Sequence, residues 1–308
     1  MGKWTMIVNP ASASSTTEGK WKEYRQMLSD GGLDVEFLVT ERQGHAFSLV
    51  RSAAAEGKRQ FIAVGGDGTI HEVLTGLLRY CDEEGADMRE FTLGVLPYGT
   101  GNDWIRTAGI PSDVQEAVSC ILRGRTARED VVRLSFDDGV YCMANVAGVG
   151  LDADVCYYTN MLKRRGLRGG ILYKIMTAFA IFAMRREKVE IVCDGEPVYS
   201  GKLYSAVIAN GIYRGGGVAQ NAPGGSWDDG ILEVSIMPSV PRIRAVLLMI
   251  HALKGDFSSQ PGIISRKFRK MTVRPLGQPE RVESDGELPG LLPLTVECTG
   301  QQINIIVP

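Results

Sequence analysis

The chain has 308 residues, 44% of them hydrophobic and 23% charged, with a formal net charge of -2 at pH 7. That length accommodates two compact domains, each with its own core, and the near-neutral balance argues against a protein that works mainly by neutralising nucleic-acid phosphates. Cys81, Cys120, Cys142, Cys156, Cys193 and Cys298 lie far apart without a C-x-x-C pair, so reduced core thiols in a cytoplasmic protein are expected rather than disulfides or metal ligands.

Met1-Gly2-Lys3-Trp4 runs straight into a strand-like segment without an apolar run, so no signal peptide is expected. From Trp4 to about Arg125, short apolar runs alternate with helical periodicity, predicting βα units around a mainly parallel sheet. The expected strands are Thr5–Val8, Val35–Val39, Phe61–Val64 and Leu93–Leu96. Between the last two, Ile70, Val73, Leu74, Leu77 and Leu78 recur at helical spacing, so a helix there packs on the sheet and points its first turn at the strand ends.

Beyond Arg125 the texture becomes strand-rich and punctuated by Asp-Gly and Pro-Gly turns. Strands are expected at Val131–Phe136, Tyr141–Val146, Val189–Cys193, Leu203–Ala209, Ile231–Ile236, Met271–Val273, Leu294–Glu297 and Ile303–Val307. Helical insertions are expected near Ala153–Met184 and Arg242–Leu253. The fold class is therefore an α/β domain over residues 1–127 followed by a mainly antiparallel, β-sandwich-like domain over 128–308, with the last strand able to return to the first domain. The longest apolar stretch, Ile171 to Met184, is interrupted by Lys174 and falls short of the roughly 20 residues that span a bilayer, so any membrane contact is expected to be peripheral.

Gly65-Gly66-Asp67-Gly68-Thr69 stands between a strand and a helix, where glycines admit a phosphate and free amides at the helix start favour an anion. It is neither a Rossmann fingerprint nor a Walker loop. An aspartate here repels phosphate unless a cation intervenes, so Asp67 reads as a Mg²⁺ partner, the alternative being a βα turn with Asp67 as its cap. Pro97-Tyr98-Gly99-Thr100-Gly101-Asn102-Asp103 is a second such loop; Thr100 offers a hydroxyl and Asp103 another carboxylate, or Asn102 and Asp103 cap the following helix. Asn9-Pro10-Ala11-Ser12 ends the first strand and Thr40 the second. Small polar residues thus cluster along one edge of the sheet, as a nucleotide site requires.

In the second half, Asp228-Asp229-Gly230 precedes a strand and suits either a hard cation or a hairpin turn. Glu283-Ser284-Asp285-Gly286-Glu287 gathers acids at a tight turn, where one could take the proton from an acceptor hydroxyl or all could be solvated.

Together Val8-Asn9-Pro10, the Gly65–Thr69 loop with Glu72, Gly99-Thr100-Gly101-Asn102-Asp103, Asp228-Asp229-Gly230 and Asp285-Gly286-Glu287 resemble, in order and over nearly the whole chain, the diacylglycerol kinase catalytic-domain family of bacterial lipid kinases, sphingosine kinases and ceramide kinases. The resemblance implies ATP held by Asn9, Pro10, Ala11, Ser12, Thr40, Gly65, Gly66, Asp67, Gly68, Thr69, Ile70, His71 and Thr100, with Asn102 and Asp103 beside it. It implies a Mg²⁺ site at Asp229 with the carbonyls of Leu232 and Val234, an essential Asp67, and Asp285 or Glu287 as general base. The implied reaction is γ-phosphoryl transfer to a lipid hydroxyl, foremost that of diacylglycerol, in a protein peripheral to the inner membrane face and compatible with a homodimer. An NAD-kinase-like enzyme and a non-catalytic nucleotide-binding regulator are the alternatives.

Two positions depart from the family's usual pattern: His71 replaces a common Asn, and Trp104-Ile105-Arg106 replaces Phe-Ala-Arg. His71 reads as partly exposed and His45 and His251 as isolated structural residues. Lys163, Arg164, Arg165, Arg168, Arg185 and Arg186 flank Ile171–Met184, which suits either an anionic lipid surface or ordinary charged helix ends.

Overall fold

The computed structural model describes residues 3–12, 19–98, 102–164, 176, 179–180, 186–211, 213–214, 218–219 and 226–308. The chain divides into two compact units, Met1–Val131 with Thr299–Pro308, and Val132–Cys298. The division falls inside a strand rather than between residues 127 and 128.

The first unit alternates β1 (Trp4–Val8), α1 (Trp21–Asp30), β2 (Val35–Val39), α2 (His45–Ala55), β3 (Gln60–Gly65), α3 (Asp67–Glu84), β4 (Thr92–Pro97), α4 (Asp103–Thr107) and α5 (Val114–Arg123). Its strands pair in parallel in the order β2-β1-β3-β4, and Asn304 and Ile305 near the chain's end add a parallel neighbour to β4. All of β1 and Phe61–Val64 of β3 are buried, because a central parallel strand is covered on both faces and reads as a continuous apolar run. The edge strand β2 instead alternates, leaving Phe37 and Val39 exposed. On α3 the stripe Ile70, Val73, Leu74, Leu77 and Leu78 is fully buried. Its other flank is closed by α2 at Gly76, where a Cβ would lie 2.9 Å from the Phe47 carbonyl oxygen. Glycine there sets the spacing of the two helices.

The second unit continues from β5 (Thr126–Phe136) through β6 (Gly139–Met143), β7 (Val146–Gly150), α6 (Leu151–Arg164), β8 (Lys188–Cys193), β9 (Glu196–Ala209), the short β10 (Tyr213–Arg214) and β11 (Val218–Ala219), and β12 (Leu232–Pro238). It ends with α7 (Arg242–Lys254), β13 (Ile264–Phe268), β14 (Lys270–Pro275), β15 (Arg281–Ser284), β16 (Glu287–Leu291) and the start of β17 (Leu294–Ile306). The strand registers described within this unit are antiparallel. The long β9 serves two neighbourhoods, pairing with β8 over its first half and with β7 and β12 over its second. Inward side chains such as Ile191, Ile208, Val234, Met271 and Val296 form the sandwich-like core, and α6 and α7 share a separate cluster with Tyr204 and Met237.

Several elements differ from the sequence expectation. Tyr141–Val146 is two strands broken at Ala144-Asn145, whereas Leu294–Glu297 and Ile303–Val307 belong to one. The helix expected over Ala153–Met184 is α6, ending at Arg164, with residues 176 and 179–180 also helical and the rest of that stretch outside the described residues. The six cysteines are free thiols, five of them buried; burial pushes Cys81 up to about 12 and Cys193 to about 11. Among the described residues no helix is long and apolar enough to cross a membrane.

Burial also pushes the Glu280 carboxyl up to about 7, with the nearby Asp154 and Glu187 charges adding to the shift against a hydrogen bond from the Glu187 amide. An unfolded glutamate loses its proton near about 4.3, so between that value and about 7 the folded chain holds a proton the unfolded chain has released. Stability therefore falls as pH rises through this window. Glu280→Gln, neutral throughout, is expected to melt above the wild type at pH ~8 and alongside it near pH ~4. Parallel melts at both pH values check this; a variant with the wild type's full pH dependence would place the proton elsewhere.

Candidate active site

The strands of the first unit end level with one another. Val8 pairs with Val39 and Val64, and Val64 with Leu96. Just beyond, the Thr40 amide donates to Val8 O (2.8 Å), Asn9 N to Val64 O (3.0 Å) and Tyr98 N to Gly65 O (2.9 Å). This stitching brings Asn9, Pro10, Ala11, Ser12, Thr40 and the Gly65–Thr69 turn to the carboxyl edge of the sheet, where ligands of open α/β sheets bind.

At that edge Asn9 Nδ2 donates to Thr69 Oγ1 (3.1 Å), Asn9 Oδ1 accepts the Ala11 amide (3.1 Å), and Ser12 Oγ lies 3.5 Å from Thr69 Oγ1. A Cβ on Gly65 would fall 2.1 Å from Thr69 Oγ1, so only glycine permits this closure. Gly66 is the N-cap of α3, extended and with no side-chain cap. The helix thus presents its amides and the positive end of its dipole to this edge. Ile70 has its side chain in the core and offers the edge only backbone. His71 is 1% exposed, with its ring edge-on to Phe47, which corrects the expectation of a partly exposed histidine.

Asp67 reaches beyond its own helix. Its Oδ2 accepts the Asp103 amide (3.1 Å) and its Oδ1 the Trp104 amide (3.0 Å), so it caps α4 across 36 residues of sequence. Glu72, also on α3, caps α2 in the same way, accepting from Gly44 N and Ala46 N at 2.7 and 3.1 Å. One helix thereby fixes the starts of its two neighbours. Asn102, the N-cap of α4, is in the left-handed region with φ 55°, and buried Asp103 faces the Arg106 guanidinium at 3.4 Å. Thr100, with Gly99 and Gly101, lies outside the described residues.

Trp104, where the resemblance led to the expectation of phenylalanine, has a partner the sequence did not disclose. Trp104 is fully buried and its indole N–H donates to Glu129 Oε1 at 2.8 Å, Glu129 being 2% exposed. Phenylalanine has no donor for that carboxylate. Trp104→Phe is expected to cost about 1–3 kcal/mol, read from urea unfolding, whereas Trp104→Phe with Glu129→Gln should recover part of the loss.

In the second unit Asp285 and Gly286 have φ of 53° and 85° and join Ser284 to its strand partner Glu287, a two-residue hairpin turn for which Asp-Gly is the favoured pair. The Asp285 carboxylate is buried and accepts from Ala144 N (2.9 Å), Asn145 N (2.8 Å), Val146 N (3.1 Å) and Ser284 Oγ (3.1 Å). It holds the break between β6 and β7. Glu287 is only half-buried at the start of β16. The carbonyl between these two acids, that of Gly286, accepts from Cys156 Sγ and Asn160 Nδ2, both at 3.1 Å, so α6 clamps the turn. Neither residue carried a sequence signal, since their task depends on how α6 packs.

Exposed Asp229 accepts the Ile231 amide at 3.0 Å and the Ser226 amide at 3.4 Å, a turn closed by its own side chain. Those bonds go to neither Leu232 nor Val234, which lie in β12 with buried side chains. Among the described residues no group of three or more His, Cys, Asp or Glu is arranged to hold a metal. Arg186 donates to Ser239 Oγ (2.9 Å) and Val240 O (2.8 Å) and stacks on Tyr204, so it is tied to the protein. The side chains of Lys163 and Arg164, and all of Arg165, Arg168 and Arg185, lie outside the described residues. The two remaining histidines are held locally: His45 Nδ1 accepts the Glu41 amide, and His251 Nδ1 lies 2.9 Å from Asp256 Oδ2.

Residues 3–134 match the family model described as the diacylglycerol kinase catalytic domain, and residues 145–307 match the YegS C-terminal NAD kinase beta sandwich-like domain. The chain is 27% identical to a protein of Bacillus subtilis described as "Diacylglycerol kinase", with 100% of this chain and 97% of that one covered. It is 31% identical to a Klebsiella pneumoniae protein described as "Probable lipid kinase YegS-like", over 78% of this chain and 76% of that one. In fold it is similar to a crystal structure of a diacylglycerol kinase from Bacillus anthracis, with TM-score 0.70, 21% identity and coverage of 99% and 97%. It is more distantly similar to an NAD kinase from Archaeoglobus fulgidus in complex with ATP, with TM-score 0.51, 15% identity and coverage of 98% and 93%.

Proposed function

Because the chain belongs to the diacylglycerol kinase catalytic-domain family, we propose that it transfers the γ-phosphoryl group of ATP to a lipid hydroxyl, with diacylglycerol as acceptor and phosphatidic acid as product. The observation that carries this reading is the level carboxyl edge of the parallel sheet, where Asn9 and Ser12 lie against Thr69 in the first turn of α3 and Thr40 follows the neighbouring strand β2. The hydroxyls of Ser12, Thr40 and Thr69, with the positive end of the α3 dipole, suit an oligophosphate. Gly65, by having no side chain, lets Thr69 close onto Asn9 at that edge.

Asp67, Asp103 and Asp229 are hard oxygen donors of the kind Mg²⁺ prefers. Each Asp67 and Asp229 oxygen accepts one amide, and a carboxylate oxygen can accept an amide and still bind a cation. Asp67 and Asp103 would hold the nucleotide's ion, and Asp229 a separate structural one with neighbouring carbonyls such as those assigned to Leu232 and Val234. The ion's contribution is to offset negative charge on the phosphates. Glu287 is the general base, taking the proton from the acceptor hydroxyl, since the Asp285 carboxylate is committed to three amides and a hydroxyl. Cys156 and Asn160 steady the turn that carries Glu287.

The likeness to an NAD kinase keeps one second reading in play, phosphorylation of a soluble nucleotide, because fold alone does not choose the acceptor. Purified protein given γ-labelled ATP with diacylglycerol vesicles, or with NAD, separates the two. Label in phosphatidic acid and none in the nucleotide is the expected result. Label in the nucleotide alone, or ATP binding without transfer to either, would overturn the proposal.

A further inference from the structure

Helix α7 buries one face and leaves the opposite one apolar and exposed. Ala245, Leu248 and Ala252 pack with Leu151, Tyr204 and Met237, whereas Ile243, Leu247 and Ile250 are 80%, 55% and 44% exposed. At helical geometry these three lie within an arc of roughly 60°, with Lys254 on the same line at the helix end and Arg242 and Arg244 on either flank. Successive turns therefore present large aliphatic groups to one side, unlike scattered surface leucines. Arg242, Arg244 and Lys254 are accompanied by no acid anywhere in α7. The Arg244 guanidinium is held at the edge of the stripe by Pro261 O at 2.6 Å. Lys267, exposed on β13, is instead opposite Glu233, and Asp256, the first acid past the helix, faces His251.

We propose that this face of α7 docks the protein on an anionic lipid bilayer, with Ile243, Leu247 and Ile250 entering the acyl boundary and the basic residues meeting headgroups, the choice of a bilayer resting on the lipid-kinase reading. An aliphatic stripe bordered by cations on an acid-free helix is the composition of an interfacial helix, and each basic residue near an anionic surface adds attraction. A second copy of the chain fits less well. A two-fold contact through α7 would set one basic, acid-free helix against its own image, where like charges repel.

Sedimentation of the full chain with vesicles tests this without nucleotide. Wild type is expected to bind vesicles of equal parts phosphatidylglycerol and phosphatidylcholine, and to bind pure phosphatidylcholine weakly. Ile243→Ser/Leu247→Ser/Ile250→Ser should weaken binding to the mixed vesicles by roughly tenfold or more, with an unchanged melting midpoint and unchanged turnover of a short-chain, water-soluble diacylglycerol. Lys254→Glu, which leaves the apolar stripe intact, should weaken binding to the mixed vesicles only. Wild-type binding by both variants, no binding by the wild type, or a dimer that the serine variant dissociates while vesicle binding persists would each overturn the proposal. Vesicle binding without phosphate transfer by the wild type would instead overturn the enzymatic reading and leave this one standing.

Discussion

Replacing Glu287 with glutamine is expected to lower kcat for lipid phosphorylation by roughly 10²–10⁴-fold, the usual range for loss of a general base, with KM for ATP and the melting midpoint unchanged. Glu287 opens β16 beside the turn and is half-buried, so a neutral isostere disturbs little packing. Its neighbour behaves differently. Asp285→Ala removes the acceptor from three amides and a hydroxyl in a buried site, and leaving such donors unpaired should cost about 2–5 kcal/mol in urea unfolding. If Asp285→Ala folded as stably as wild type while losing turnover, and Glu287→Gln kept its activity, the roles of the two acids would be reversed.

Removal of the Asp67 side chain is the second large effect. The carboxylate spans from α3 to the two leading amides of α4, so Asp67→Ala should lose at least about 10²-fold in turnover and, at the same time, about 1–3 kcal/mol of stability. In sequence Asp67 reads only as a Mg²⁺ partner or the cap of its own turn, because a tie to a helix 36 residues away is invisible there. Asp67→Asn separates the two contributions. Its amide oxygen still accepts one of the two N–H groups, so most of the stability should return, while the lost negative charge should keep turnover low and weaken ATP binding in the presence of Mg²⁺. Wild-type kcat in Asp67→Asn would remove charge from the account and leave a purely structural cap.

Elements with a single physical signature were readable from the sequence. The central strands β1 and β3 appear as mainly apolar runs ended by Asn or Gly, and Val35–Val39 falls where it was placed. The strands missed had weak signatures. In β13, Ile-Ser-Arg-Lys-Phe buries only Phe268 fully, having a partner on one side alone. β16 carries Pro289 and Gly290, residues that argue against a strand. β17 read as two strands because Thr299 to Gln302 are polar, yet it pairs with β5, and the Thr299 and Gln302 side chains donate to Val131 O and Asp130 Oδ1 on that strand.

The candidate site divides in the same way. Small residues after strands marked the phosphate edge, since turn chemistry is local. The occupations of Asp67, Glu72, Glu129 and Asp285 were not legible, because each bonds groups 25 to 141 residues distant. A carboxylate in a glycine loop looks alike in sequence whether it meets a cation or a helix end.

The most direct test is incubation of the purified protein with a total lipid extract and ATP carrying ¹⁸O in its γ-phosphoryl group, followed by mass spectrometry of both the lipid and aqueous phases. The account predicts labelled phosphatidic acid from the wild type and almost none from Glu287→Gln. Label confined to a water-soluble product, or ATP retained unchanged on the protein, would contradict it.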